Sequence, residues 1–292
     1  MMPEPELSPG LDLEDALRVI EAALAEDIGS GDVTSLAVIP EGVRFHGVMR
    51  ARHLMVIAGL PVAREVFRRV VPEASFRSLV SDGAAVGVGD VLAQIDGPAR
   101  GLLTAERTAL NFLQALSGIA TTTRQYVERI QETSCTLLDT RKTIPGMRKL
   151  SKYASRCGGA RNHRMGLFDA ILIKDNHIAV CGGISEAVRR AKLTVANRAA
   201  SDRPLMIEVE CDTLAQVGEA ADVGVDWVLL DNMTLDDLRH AVALVRGRAK
   251  TEASGGVTLD TIVGIAATGV DFVSVGRVTQ SAPAVDIGLD WD

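Results

Sequence analysis

At 292 residues and 47% hydrophobic side chains, the chain has material for one large domain or two modest ones with a real core. Aromatic residues make up only 3%, which suits α/β layers built from Ala, Val, Leu and Ile and opposes a single-strand nucleic-acid binder, which needs stacking platforms. The net charge of -7, four scattered cysteines without a C-x-x-C pair, and the lack of any run of membrane-spanning length point to a reduced, cytoplasmic protein with no nucleic-acid or membrane partner. The opening Met-Met-Pro-Glu-Pro-Glu has neither the basic nor the apolar region of a signal peptide.

Leu13, Leu17, Ile20 and Leu24 recur at helical spacing and predict an amphipathic helix over 11–25, ended by a Gly/Asp turn at 26–34. Residues 43–58 read as strands around a basic turn containing Arg50 and Arg52, and 61–70 as a helix with Pro61 in its first turn. Glycines punctuate short strands over 81–95, but no G-x-G-x-x-G occurs, so they read as β-turns and not as a dinucleotide fingerprint. The first hundred residues therefore predict a small α+β domain without chemistry of its own. Thr104 is placed to cap a long helix, with Glu106 in its first turn and an apolar stripe at Leu110, Leu113, Leu116 and Ile119. Arg107 lies on the same helix, and its pattern alone leaves it either a surface cation or a functional one.

Beyond that helix the pattern alternates. Apolar runs ending in polar residues fall at 135–139, 170–174, 205–210, 227–231, 251–254 and 272–276, with helical patterns near 184–198, 213–222, 234–246 and 258–267. Such alternation predicts a parallel sheet with right-handed crossovers, closed into a complete or slightly irregular barrel whose active site lies at the C-terminal strand ends. Arg141, Lys142, Lys174, Glu210, Asp231 and Ser254-Gly255-Gly256 all fall there.

One stretch stands out. Between Arg141 and Lys174 lie nine Lys or Arg and a single acid, Asp169, inside an otherwise acidic chain. Part of this block is a helix over 147–157, stopped by Gly158-Gly159, on which Arg148, Lys149 and Arg156 read as solvated surface cations. Arg141, Lys142, His163, Arg164 and Lys174 lie instead at strand ends or in a Gly-bounded loop, and make a mouth built for anions. Arginine forks hold carboxylate or phosphate at two points. Glu210 and Asp231 would repel such a ligand unless a cation intervenes, and Mg²⁺ carried by a phosphorylated substrate suits their hard oxygens; a structural ion pair is the other reading. Ser254-Gly255-Gly256 and Gly276 offer backbone N–H groups to a phosphate, late in the barrel where such sites usually lie. A Schiff-base enzyme using Lys174, or a nucleic-acid binder using the basic block, are the rival readings of the residues alone.

Thr140-Arg-Lys-Thr-Ile-Pro-Gly-Met-Arg148, Gly158-Gly-Ala-Arg-Asn-His-Arg164 and Leu172-Ile-Lys-Asp-Asn-His177 resemble the signature blocks of the quinolinate phosphoribosyltransferases. So do Gly101-Leu-Leu-Thr-Ala-Glu-Arg107, Glu208-Val-Glu210, Leu230-Asp-Asn232 and Ala253-Ser-Gly-Gly256. The resemblance implies an N-terminal α+β sandwich over 1–116, completed by a tail over 278–292, and an α/β-barrel over 117–277. It implies transfer from phosphoribosyl pyrophosphate to quinolinate with loss of CO₂, giving nicotinate mononucleotide for NAD synthesis, with Mg²⁺. It also implies a homodimer, or a higher oligomer, in which Arg107 reaches the partner's site. Residue by residue, it implies that Arg107, Arg141, His163 and Arg164 hold the two carboxylates, with Thr140 beside them. Lys142 and Lys174 would serve dicarboxylate and phosphates as catalytic cations. From the chemistry of CO₂ loss, and not from the resemblance, Lys174 or a nearby water is the expected proton donor to the ring. Glu210 and Asp231 would position the ribose and Mg²⁺, and Ser254, Gly255, Gly256 and Gly276 the 5′-phosphate. A paralogous family associated with molybdenum transport shares the barrel and the His-Arg loop; the intact Thr140-Arg-Lys and Ile173-Lys-Asp-Asn-His177 blocks favour the transferase. Gln280 stands where the family usually has His, Ala160-Arg161 replaces a glycine-rich pair, and Arg52-His53-Leu54 replaces an acidic-Gly turn.

Overall fold

A computed structural model describes residues 10–198 and 205–291, so the opening hexapeptide lies outside it. In chain order the elements are α1 (Leu13–Ile28), α2 (Val33–Val38), β1 (Arg44–Ala51), β2 (Met55–Val56), α3 (Leu60–Val70), β3 (Ser75–Ser78), β4 (Ala85–Val86), β5 (Val91–Pro98) and α4 (Ala99–Ile130). There follow β6 (Thr136–Leu138), α5 (Arg148–Cys157), β7 (Ile171–Ile173), α6 (Asp175–Cys181), α7 (Ile184–Ala196), β8 (Ile207–Cys211), α8 (Leu214–Asp222), β9 (Trp227–Asp231) and α9 (Leu235–Val245). Last come β10 (Lys250–Ser254), α10 (Ile262–Ala266), β11 (Phe272–Ser274), α11 (Arg277–Gln280) and β12 (Ile287–Trp291). Two compact units result: 1–124 with 143–159 and 277–292, and 125–142 with 160–276. The sequence expectation put the boundary at 116/117; the units part inside α4 and assign α5 to the first.

In the first unit an antiparallel sheet runs β12-β1-β5-β3, so the C-terminal strand pairs with β1, as expected. Its core gathers Ile20 and Leu24 of α1, Val66 and Phe67 of α3, and Leu110, Leu113 and Leu116 of α4, which is the apolar stripe legible in the sequence. The helix over 147–157 forms as α5, with Gly159 taking the left-handed conformation (φ 103°) just beyond its end. Two of its cations work at the surface, where Lys149 Nζ donates to Asp12 at 2.7 Å and the Arg156 guanidinium donates to the Gly10 carbonyl, whereas Lys152 is fully buried.

Thr104 does not cap α4. The helix starts five residues earlier at Ala99, directly after Pro98, and the Thr104 hydroxyl lies within it, 2.8 Å from the Arg100 carbonyl and 3.0 Å from Asp32 Oδ2. Glu106 is accordingly beyond the first turn. The Gly/Asp turn at 26–34 also hides the start of α2, whose cap is Asp32, accepting from Ser35 N at 2.9 Å.

The second unit is a six-stranded parallel sheet in the order β6-β11-β10-β9-β8-β7, and all six strands fall where the apolar runs predict. The strands do not close on one another among the described residues; a single parallel bridge, Leu138 to Arg161, extends the sheet beyond β6. The helix expected over 258–267 is shorter, 262–266, because Thr258 and Thr261 bond each other's backbone N–H groups in a polar turn ahead of it. At the N-terminal strand ends Asp226 accepts from Ile207 N at 2.7 Å and Asp271 from Thr251 N at 2.9 Å, polar closures of the face that contributes stability on this kind of fold.

Candidate active site

Strand period and register assemble the site. Side chains alternate faces, and the pairs Leu172–Glu208, Glu210–Leu229, Ser254–Asp231 and Glu252–Phe272 put Glu208, Glu210, Leu229, Asp231, Glu252 and Ser254 on one face. A cavity of about 440 Å³ opens over that face at the C-terminal strand ends. It is lined by Thr140, Arg141, Lys142, His163, Arg164, Lys174, Glu210, Asp231, Ser254 and, unforeseen from sequence, Leu172, Leu229, Glu252 and Ser274. Nine predicted residues from six segments of the second unit thus converge.

Each is fixed by local chemistry. Thr140 Oγ1 accepts from Lys142 N at 3.0 Å, a hydroxyl turn at the end of β6. Lys174 leaves β7 where α6 begins, a helix absent from the sequence expectation, and His177 Nδ1 accepts from Lys174 N at 2.9 Å. The Lys174 ammonium forms an ion pair with Glu210, and Asn232 Nδ2 donates to Asp231 Oδ2 at 2.7 Å. Gly255, at φ 97°, packs so closely that a Cβ there would lie 2.1 Å from Asn232 Oδ1. A Cβ at Gly276 would lie 2.9 Å from Lys142 Cδ, so that glycine lets the lysine pass. Gly255, Gly256 and Gly276 adjoin the lined surface without lining it. Arg107 is exposed on α4 and belongs to the first unit, as does Gln280 at the end of α11.

The His163–Arg164 loop is held from beneath. Buried Asp139 accepts from Asn162 Nδ2 at 2.6 Å and from His163 N at 2.9 Å. The His163 ring accepts the Arg164 N–H on Nδ1 at 2.7 Å and sets Nε2 3.1 Å from Glu208 and 3.2 Å from Glu252. Below it Trp227 presents an edge-on contact at 6.3 Å and stacks on Phe272 at 4.1 Å, and Arg161, the added cation, lies over the Phe272 ring. Burial opposes charge on the ring, but Glu208 and Glu252 outweigh it and raise His163 to about 10. Burial, with the Glu252 charge beside it, pushes Glu208 up to about 7. The Arg164 N–H needs a bare Nδ1 and so holds the ring neutral against that pull, with its one hydrogen on Nε2 facing the two carboxylates. Arg164 is shifted down by burial and by the neighbouring Arg141 guanidinium, the electrostatic signature of cations crowded for an anion to relieve. In the sequence Glu208 reads only as part of a resemblance block, and Asp139 and Glu252 only as strand residues.

A parallel α/β unit with a cation-rich cavity at its strand ends, two carboxylates at its rim and a polar glycine turn defines an enzyme for multiply charged anions. The chain belongs to the quinolinate phosphoribosyl transferase family: the family's N-terminal domain matches residues 32–117 and its C-terminal domain residues 119–290. A probable nicotinate-nucleotide pyrophosphorylase (carboxylating) of Synechocystis is 44% identical over 271 residues, covering 91% of this chain and 89% of the relative. The nicotinate-nucleotide pyrophosphorylase (carboxylating) of Mycobacterium leprae is 44% identical over 283 residues, covering 94% and 97%. Among solved structures, the nicotinate-nucleotide pyrophosphorylase of Francisella tularensis superposes with a TM-score of 0.91 at 39% identity, covering 100% of both chains.

Proposed function

We propose that the chain transfers the phosphoribosyl group of phosphoribosyl pyrophosphate to the ring nitrogen of quinolinate, with loss of pyrophosphate and CO₂, to give nicotinate mononucleotide for NAD synthesis. The observation that carries this reading is the convergence of Arg141, Lys142, Arg164 and Lys174 with Glu210, Asp231 and Ser254 on one 440 Å³ cavity. Family membership and relatives matched end to end support it. Two adjacent carboxylates on a pyridine need forked, two-point donors, which Arg141 and Arg164 supply, with Thr140 at the same rim.

Lys142 and Lys174 face the remaining anionic charge of dicarboxylate and phosphates. The 5′-phosphate takes the turn Ser254-Gly255-Gly256 and the backbone at Gly276. Glu210 and Asp231 hold the ribose hydroxyls. These two carboxylates are an oxygen-only donor set at the cavity rim, which fits Mg²⁺ arriving on the substrate's pyrophosphate with its waters retained. When bound, the ion neutralises charge on the departing pyrophosphate. Positioning does the rest: loss of pyrophosphate leaves an oxocarbenium-like ribose that the ring nitrogen must meet in line, and fixed cations keep that approach. Once the nitrogen is quaternised, the pyridinium stabilises the carbanion left by CO₂, and Lys174 or a water beside it returns a proton to that carbon. Arg107, exposed on α4, completes the site of a second copy in a homodimer, and the reaction runs in the cytoplasm.

Calorimetric titration with quinolinate tests the carboxylate clamp. Wild type binds, and Arg141→Ala and Arg164→Ala each weaken binding by about 10- to 100-fold, the scale of charge-assisted hydrogen bonds. Equal affinity in all three proteins would remove the clamp.

A further inference from the structure

His163 lines the cavity, yet both of its ring nitrogens face the protein. Nδ1 accepts from the Arg164 amide at 2.7 Å, and Nε2 lies 3.1 and 3.2 Å from the Glu208 and Glu252 carboxylates. Turning the ring over would exchange both nitrogens for carbons and lose every one of these contacts, so the orientation is determined twice over. The side chain is 8% exposed, and Glu208 and Glu252 are 0% and 1% exposed. Among the described residues no donor is well aligned on either Glu208 oxygen or on Glu252 Oε2, which leaves the His163 Nε2–H as their nearest source of a hydrogen bond. Removing the ring would strand two buried carboxyl groups, among the costlier changes an interior can undergo.

We infer that His163 is a positioning residue and not a substrate ligand: clamped between the Glu208–Glu252 pair and the Arg164 amide, it fixes the backbone from which Arg164 reaches the anion cavity. Three side chains from a loop, β8 and β10 thereby act as one unit, and Glu208 and Glu252 belong to the function through His163. The kinetic part of this inference rests on the proposed reaction. The structural part does not.

The first test reads the ring directly, by long-range ¹H–¹⁵N correlation on ¹⁵N-labelled protein, with the His163 signals assigned by their loss in His163→Gln. One nitrogen protonated and one bare, with both unmoved when quinolinate is added, is the expected result. A doubly protonated ring whose nitrogens shift with quinolinate would make His163 a ligand and overturn the inference. The second test is kinetic. Glu252→Gln keeps an acceptor for Nε2–H and should retain kcat and both KM values within about twofold. Glu252→Leu and His163→Leu should each lower kcat at least about tenfold, and the double variant no further than either alone, because residues acting as a unit are non-additive. An isolated rise in quinolinate KM in His163→Leu, with Glu252→Leu unaffected, would refute the unit. Should Glu252→Leu fail to fold, His163→Gln takes its place, and the spectrum of Glu252→Gln, with the bare nitrogen retained, still decides. A stoichiometric transition metal in purified wild type, lost in Glu252→Gln, would replace the hydrogen-bonded unit by a metal site. Absence of turnover in wild type strikes the proposed reaction instead, leaving the spectrum to decide the role of His163.

Discussion

Gly255→Ala is the substitution whose consequence follows most directly from the geometry. An added Cβ would lie 2.1 Å from Asn232 Oδ1, 2.5 Å from Cγ and 2.9 Å from the backbone nitrogen. The amide side chain could swing away, but the nitrogen could not, since Asn232 N donates to Ser254 O at 2.9 Å and so ties the ends of β9 and β10 together. The backbone at Gly255 also has φ 97°, where a residue with a Cβ costs about 1–3 kcal/mol. Adding about 1 kcal/mol for a weakened hydrogen bond gives a loss of roughly 2–4 kcal/mol. At about 2–4 °C per kcal/mol for a unit of this size, melting should fall by about 5–15 °C. Because Asn232 also donates to Asp231, the displacement reaches the carboxylate proposed for the ribose as well as the turn proposed for the phosphate. The KM for phosphoribosyl pyrophosphate should therefore rise about tenfold or more, while that for quinolinate changes less. A Gly255→Ala enzyme that melts and binds as wild type would refute the claim that this turn is a close-packed phosphate cradle.

Further outcomes follow from other parts of the molecule. Arg141→Lys keeps the charge but loses the fork, so quinolinate KM should rise about 10- to 100-fold with kcat less affected, as steady-state kinetics will show. Asp139→Ala strips the acceptor from Asn162 Nδ2 and His163 N, and should lower melting together with kcat/KM, whereas a cut in stability alone would deny the loop its role. Burial raises the Asp82 carboxyl above its ordinary 3.8, against donors at Tyr153, Gly59 and Leu60. Its native value thus exceeds its unfolded one, and its contribution is greatest below 3.8 and lost as pH rises through the native value; melting curves against pH should flatten in Asp82→Asn. Under the proposed arrival of Mg²⁺ with substrate, chelation of divalent cations should abolish turnover yet leave the melting temperature of substrate-free protein unchanged.

Much of this architecture is legible in the sequence because parallel strands are buried on both faces and so read as apolar runs. Their polar final residues, such as Lys174, Glu210 and Asp231, mark the strand ends where the site opens. Thr104 misled because its hydroxyl has the right chemistry for a cap, while Pro98 had already let the helix begin and Asp32 offered the hydroxyl another acceptor. The seven-residue α6 is too short to show a period, and its fixing partner, His177, reads as part of a motif. Strand β3, Ser75–Ser78, has no apolar run because it is a largely exposed edge. The His163–Glu208–Glu252 unit was invisible for a different reason. Its carboxylates lie 44 residues apart on strands separated by β9, and only the register brings both to one imidazole.

The most direct test of the central claim is to incubate the protein with quinolinate, phosphoribosyl pyrophosphate and Mg²⁺ and to follow nicotinate mononucleotide and CO₂ in the same vessel. Both products are expected in equal amounts, absent without Mg²⁺ and lost in Arg141→Ala. Folded protein that forms neither product would contradict the proposed reaction.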